Sequence, residues 1–227
     1  MKRNGNWSVA GSILGILLII IVAQVPSAHA AVVTYTDRAA FNAAAAGLGT
    51  MTTEGYETYP NDVQQGARTI TLNNFAISSD LNGAQSGFGI TDVVNVFPGS
   101  SGLGPTAGSK YLVTTFPDST IPSGATVTWL LGPGVKAFGS DIKDLEIANM
   151  TYALNTGATG VAATPGLDGN VQFFGIISDS PFSSIAIHEP GASTGDAVVF
   201  DQTSIVPEPA SLCLLVLGGL GLRRRRF

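Results

Sequence analysis

An all-β domain, a single β-sandwich with one short helix near its start, is the fold this sequence predicts. Three observations carry it. Gly (28) and Pro (12) are frequent, and charged residues make up only 12% of the chain, a balance that suits an exported β domain better than a helical one. Apolar and polar residues alternate over short stretches, the two-residue period of a half-buried strand. Clusters of Gly, Pro, Asn and Asp separate those stretches.

The elements follow in order. AVVTYTDRAAFNAAAAGLG (31–49) opens with a strand, Val32 to Thr36. A helix comes next, with Thr36 or Asp37 placed to accept its first free N–H groups. Phe41, Ala44, Ala45 and Leu48 share one face, and Gly47 or Gly49 ends it. In RTITLNNFAIS, Ile70 and Leu72 fall on one parity and Phe75 and Ile77 on the other, so a bulge at Asn73-Asn74 is expected to restore the register. SKYLVTTF brings Tyr111 and Val113 to one face. GATVTWLL does the same for Val127, Trp129 and Leu131, which makes Trp129 a core residue. Gly132-Pro133-Gly134 reads as a turn before GVKAFGSDI. NVQFFGIIS, FSSIAIHE and DAVVFDQTS complete a set of about ten short strands, the pattern of a sandwich. No repeat of fixed period is present, which argues against a solenoid.

Charge is unevenly placed. Lys2, Arg3 and Arg223 to Arg226 supply six of the eleven basic residues, so residues 31–206 keep five against fifteen acids, a net of 5 − 15 = −10. Such a surface repels phosphate backbones, and no nucleic-acid partner is expected. The single cysteine, Cys213, sits in the C-terminal apolar run. The domain before it therefore has no disulfide, thiolate metal site or cysteine nucleophile. At roughly 175 residues it is large enough to rely on its apolar core.

The two ends are processing segments. Residues 1–30 read as a secretory signal: Lys2 and Arg3, then the apolar ILGILLIIIVA (13–23), then SAHA (27–30). Ala28 and Ala30 occupy the small-residue positions before a cut, and Ala31 becomes the new N-terminus. Residues 31–205 form the exported domain and 206–227 a C-terminal signal. Its apolar run, Ala210 to Leu222, spans about 20 Å as a helix, short of a hydrocarbon core of about 30 Å. Arg223, Arg224, Arg225 and Arg226 belong on the cytoplasmic side, their long stems helping a short transmembrane helix reach the interface. The tail is thus expected to act as a stop-transfer element that holds the exported domain at the membrane. Cys213 reads as a small apolar filler.

Pro207-Glu208-Pro209, the apolar run and the arginine cluster together resemble the PEP-CTERM sorting signal of Gram-negative bacteria, a segment also labelled the ice-binding protein C-terminal domain. The resemblance implies recognition by an exosortase-type membrane enzyme, cleavage near Pro207–Pro209, and delivery to the cell surface or the exopolysaccharide matrix. AAFNAAAAG, an EGYE strand, VKAFGSDI and DAVVFDQTSIVPEP also resemble exported domains of such proteins. They imply a jelly-roll-like module whose last strand runs almost directly into the sorting mark. No activity comes with either resemblance.

Four chemistries are open to residues of this kind. Jelly-roll modules often hold a structural calcium ion where the first long strand meets the last. Calcium needs six to eight oxygen ligands, for which Glu57 or Glu54, Asp141 and Asp201 are the candidates. DLNG (80–83) and LDGN (167–170) are fragments of a calcium loop, and all these acids also suit solvated turns. For glycan contact the candidates are Tyr56 and Tyr59, which flank Glu57 and precede Pro60. For hydrolysis the one domain histidine is His188, sent outward if Ile185 and Ile187 point inward; no G-x-S-x-G or H-E-x-x-H is present, and paired carboxylates are not settled by counting. For ice, TIT (69–71) and TVT (126–128) are isolated strand-forming threonines. The expectation is an exported structural or adhesive protein associated with extracellular polysaccharide, without enzymatic activity, calcium being the one cofactor suggested. The alternative is a secreted hydrolase acting on matrix polysaccharide.

Overall fold

A computed structural model describes residues 31–65, 67–80, 87–93, 102–116, 125–146, 148–189 and 196–208. The signal segment with Ala28 and Ala30, and the tail from Pro209 through Arg223–Arg226, lie outside the described residues. Among the described residues no helix is long and apolar enough to cross a membrane.

The domain is all-β. Its elements are β1 (Val32–Tyr35), α1 (Arg38–Ala45), β2 (Thr52–Glu54), β3 (Asp62–Gln65), β4 (Arg68–Thr71), β5 (Ala76–Ser79), β6 (Gly87–Thr91), β7 (Tyr111–Phe116), β8 (Ala125–Lys143), β9 (Met150–Leu154), β10 (Thr159–Ala163), β11 (Val171–Glu189) and β12 (Asp196–Pro207). The strands form one antiparallel 12-stranded sheet. Two strands are far longer than expected: β8 and β11 have 19 residues each. They pair along most of their length and bend together. Their bend folds the sheet into two facing leaves, as in sandwiches whose corner strands serve both layers.

The first half of β8 pairs with β5 and with the second half of β11, which in turn pairs with β9. The second half of β8 pairs with β12 and with the first half of β11, which carries β1. That the leaves face each other is set by Trp129 and Phe138. They are nine residues apart on β8, about 30 Å along a straight strand, yet their rings sit 5.4 Å apart and edge-on. Trp129 also meets Phe200 of β12 at 4.9 Å.

Gly132 (φ 76°) and Gly134 (φ 78°) make the bend in β8. Gly132-Pro133-Gly134 is therefore a corner within one strand rather than a turn between two. Positive φ there reverses the strand's curvature at little steric cost to glycine. Opposite it, the ladder slips between Ile177 and Phe182.

The core follows the alternation read from the sequence. Val127, Trp129 and Leu131 are buried with Ile185 and Ile187. Fully burying an apolar side chain of this size stabilises the fold by about 1.5–3 kcal/mol. Tyr111 and Val113 share one small cluster while Leu112 joins the main core, so β7 is buried on both faces.

Helix α1 begins where expected: Asp37 caps it, accepting the Ala40 N–H at 2.7 Å. Phe41 and Ala45 are buried against the outer face of the second leaf, with Ala137, Phe173 and Val206. Ala44, expected on that face, is exposed. The seat for the helix is a pair of facing glycines, Gly139 and Gly175; a Cβ on Gly175 would lie 2.7 Å from the Phe41 ring.

Two local expectations change. Asn73-Asn74 is not a bulge in one strand but the tip of a hairpin: Ile70 pairs with Ile77, and Leu72 N–H donates to the Phe75 carbonyl at 2.9 Å. Two asparagines suit such a tight turn. The EGYE stretch is not a strand, because β2 ends at Glu54 and Tyr56 takes φ 64°.

Candidate functional site

The second leaf carries a polar cluster on its outer face, next to α1. Asp141 of β8 and Asp201 of β12 are direct cross-strand partners. A bulge follows Asp201, with Gln202 at φ 48°. The Thr106 hydroxyl donates to Asp141 at 2.9 Å or to Asp201 at 3.0 Å. The backbone N–H groups of Thr106, Ala107 and Gln202 donate to Asp201 at 2.8, 3.0 and 2.7 Å. Burial pushes the Asp201 carboxyl up, and these donors pull it back. Arg38, at the start of α1, closes the cluster: its Nη2 donates to Asp141 Oδ1 at 2.7 Å and to the Gln202 carbonyl at 3.1 Å. Its guanidinium lies 4.5 Å from the centre of the Phe173 ring.

Asp141 and Asp201 are therefore brought together, with a guanidinium beside them. Glu57 is not part of that cluster. It accepts from Ser109 N–H at 2.7 Å, Ser109 hydroxyl at 2.6 Å and Lys110 N–H at 3.1 Å. Those Ser109 bonds hold its carboxyl below the usual range. Glu57 and Asp201 thus hold opposite ends of the segment 106–110 that leads into β7. Glu54 accepts the Tyr56 N–H at 2.9 Å.

Among the described residues, the acids whose oxygens converge within 4.8 Å are Asp144, Glu146 and Asp168. Asp144 is 4% exposed, with φ 68°, and accepts the Gly169 N–H at 2.7 Å. Its carboxyl is pushed up to about 6, first by burial, with Asp168 and Glu146 raising it further. With one oxygen each, three carboxylates supply at most half of the six to eight oxygens that calcium takes. The LDGN fragment marked Asp168 in the sequence. Asp144 carried no such signal, because its backbone conformation and its neighbour 24 positions on are set by the fold.

The two tyrosines separate. Tyr56, expected on an exposed loop, is fully buried. Its hydroxyl sits 2.8 Å from that of Thr203, and burial pushes its ionisation well above the ordinary tyrosine value. The turn at positive φ after β2 swings the ring into the core, so it cannot serve as a surface platform. Tyr59 is half-buried and borders a cavity of about 220 Å³ with Pro60, Asp62, Arg68, Thr69, Ile70, Thr71 and Ile90. Asp62 and Arg68 form a 2.5 Å ion pair along it, and Arg68 holds the Asp62 carboxyl below its usual range. His188 lies on the face opposite Ile185 and Ile187, as expected, with Nδ1 3.3 Å from the Thr126 hydroxyl.

The last feature is the exit of the chain. Strand β12 does not stop before the Pro-Glu-Pro mark but includes its first proline. Val206 pairs with Ala137 and Pro207 with Val135. Glu208 N–H donates to the Gly134 carbonyl at 2.5 Å, and its carboxylate lies 3.4 Å from Lys136 Nζ. Residues 206–226 match the family model described as the PEP-CTERM protein-sorting motif. The tail is a PEP-CTERM sorting motif. This motif marks the protein for export and exosortase processing.

No curated protein matches the chain. Among solved structures, a family 29 carbohydrate-binding module from Piromyces equi aligns at 9% identity and a TM-score of 0.36, over 64% of this chain and 89% of that one. A mutant of the module CBM29-2 complexed with mannohexaose aligns at the same identity and score, over 64% and 92%.

Proposed function

We propose that this protein is an exported component of the cell surface or extracellular matrix, with a structural or adhesive role toward polysaccharide. The observation that supports this most is continuity: the last strand of an all-β domain passes directly into the PEP-CTERM motif. The precursor is held at the inner membrane by its apolar run and arginines until an exosortase-type enzyme acts. The mature domain then engages extracellular polysaccharide by many weak contacts. Its surface suits that role, being acidic and rich in serine and threonine hydroxyls. The groove beside Tyr59 adds an aromatic edge next to the Asp62–Arg68 ion pair and the Thr69 and Thr71 hydroxyls, the mix of apolar lining and few polar groups that small-ligand sites use. Catalysis forms no part of this reading.

The test is to mix the mature protein with the host's own exopolysaccharide, in calcium and in EDTA, and to follow both co-sedimentation and release of reducing ends. Retention without release is expected, and loss of retention in EDTA would assign calcium a bridging role. Release of reducing ends would make the protein a hydrolase and overturn the proposal. No retention under either condition would remove the polysaccharide role.

A further inference from the structure

The domain holds the start of its own sorting mark. Val206 is fully buried and packs with Phe41, Ala45, Ala137 and Phe173 beneath α1. Pro207 is exposed and has no N–H to donate. Glu208 is fastened by one backbone hydrogen bond to Gly134 and by the ion pair with Lys136. Lys136 also donates to the Asp179 carbonyl, and Asp179 N–H donates to the Ala31 carbonyl at 3.1 Å. Ala31, the residue expected to follow the signal cut, and the first two residues of the mark, Pro207 and Glu208, thus lie at the one corner where β8 and β11 bend.

Only Pro209 separates the fastened Glu208 from the apolar run that begins at Ala210. One residue spans about 3.5 Å of extended chain. A membrane enzyme that takes an extended segment into its cleft needs more free chain than that, so Glu208 must first come off the domain. The two holds differ in kind. Glu208 and Pro207 leave by breaking one hydrogen bond and one partly exposed ion pair. Val206 leaves only by emptying a packed position under the helix and breaking further ladder pairing, which is much harder.

We propose that the folded domain governs the processing of its own tail: the Lys136–Glu208 contact is a latch that must open before the mark is cut, and Val206 is where release stops. Lys136 is thus a positioning residue, and the cut falls C-terminal to Val206. In the cut, the carbonyl carbon of the broken peptide bond passes to water or to an amine acceptor, and the departing tail keeps the amide nitrogen, which takes up a proton. The proposal rests on the reading of the tail as a processed signal.

The test uses the full chain in its native host. The C-terminal residue of the protein recovered from the surface is read by intact mass, and conversion of precursor to mature form is followed by pulse-chase. The mature chain is expected to end at or after Val206 and before the arginine cluster. An end upstream of Val206 overturns the proposal while leaving the tail a processed signal. An intact chain through Phe227 overturns both. With Lys136→Met, which keeps an apolar stem but removes the ammonium group, conversion is expected to be about two- to fivefold faster, the weight of a weak surface ion pair. Unchanged or slower conversion refutes the latch. The end-group measurement needs no variant and so does not depend on how the substitution affects folding.

Discussion

Where the mature chain ends should decide how stable the domain is. The comparison is residues 31–208 against residues 31–205, which lack Val206, Pro207 and Glu208. Val206 is fully buried in the cluster beneath α1, and losing a buried valine costs about 1.5–3 kcal/mol. The Glu208 N–H bond to the Gly134 carbonyl adds about 0.5–1.5 kcal/mol. The partly exposed Lys136–Glu208 pair adds about 0–1 kcal/mol. The shorter chain should therefore be less stable by about 2–5 kcal/mol. With a urea m-value of about 2 kcal/mol/M, its unfolding midpoint falls by about 1–2.5 M. Fluorescence of Trp129, buried between the leaves, reports the transition. Midpoints that agree within about 0.25 M would mean that the first residues of the mark do not belong to the fold, and would refute the reasoning.

Other contacts carry further expectations. Trp129→Ala removes the ring that joins the leaves through Phe138 and Phe200 and should cost about 3–5 kcal/mol in a denaturant melt. Gly89→Ala should block pairing of β3 with β6, because the new Cβ would sit 1.9 Å from the Asp62 carbonyl oxygen; thermal melting and loss of amide protection in β3 check it. Asp144, pushed up to about 6, binds its proton more tightly folded than unfolded. Its burial therefore penalises the fold fully above about pH 6, and the penalty fades as pH falls toward the unfolded value. In EDTA, Asp144→Asn should raise the melting temperature at pH 7 and change it little at pH 4. Tyr59→Ala should weaken polysaccharide co-sedimentation, with its own melting curve as the control for folding.

Much of the fold was legible because it rests on local rules. Alternation placed Val127, Trp129, Leu131, Ile185 and Ile187 in the core, and Asp37 capped the helix as a side chain at that position should. What the sequence misreported were choices between local alternatives of similar cost. Gly132-Pro133-Gly134 fits a turn between strands as well as a corner in one, and the pairing of β11 alongside β8 decides it. Asn73-Asn74 fits a bulge or a hairpin tip, and the match of Ile70 with Ile77 selects the hairpin. Tyr56 read as a loop residue because its neighbours are polar; the positive φ that buries it is not visible in a string of residues.

The candidate sites divide along the same line. The sequence by itself determined the address, since a sorting motif is read as a linear segment and Pro207-Glu208-Pro209 with its apolar run and arginines needs no fold to be recognised. It also determined the class of the domain, because strand periodicity and turn chemistry act over a few residues. Only the tertiary structure decided which acids meet. Asp141 and Asp201 lie 60 positions apart and become neighbours through the β8–β12 ladder, with Arg38 closing over them. Asp144 meets Asp168 across 24 positions. Only the structure, too, joined the address to the domain: Lys136, 72 positions before Glu208, reaches it because β8 bends at Gly134 and β12 runs beside it. Contacts so far apart in sequence depend on strand register, and register is settled by packing of the whole sheet rather than by any one stretch of it.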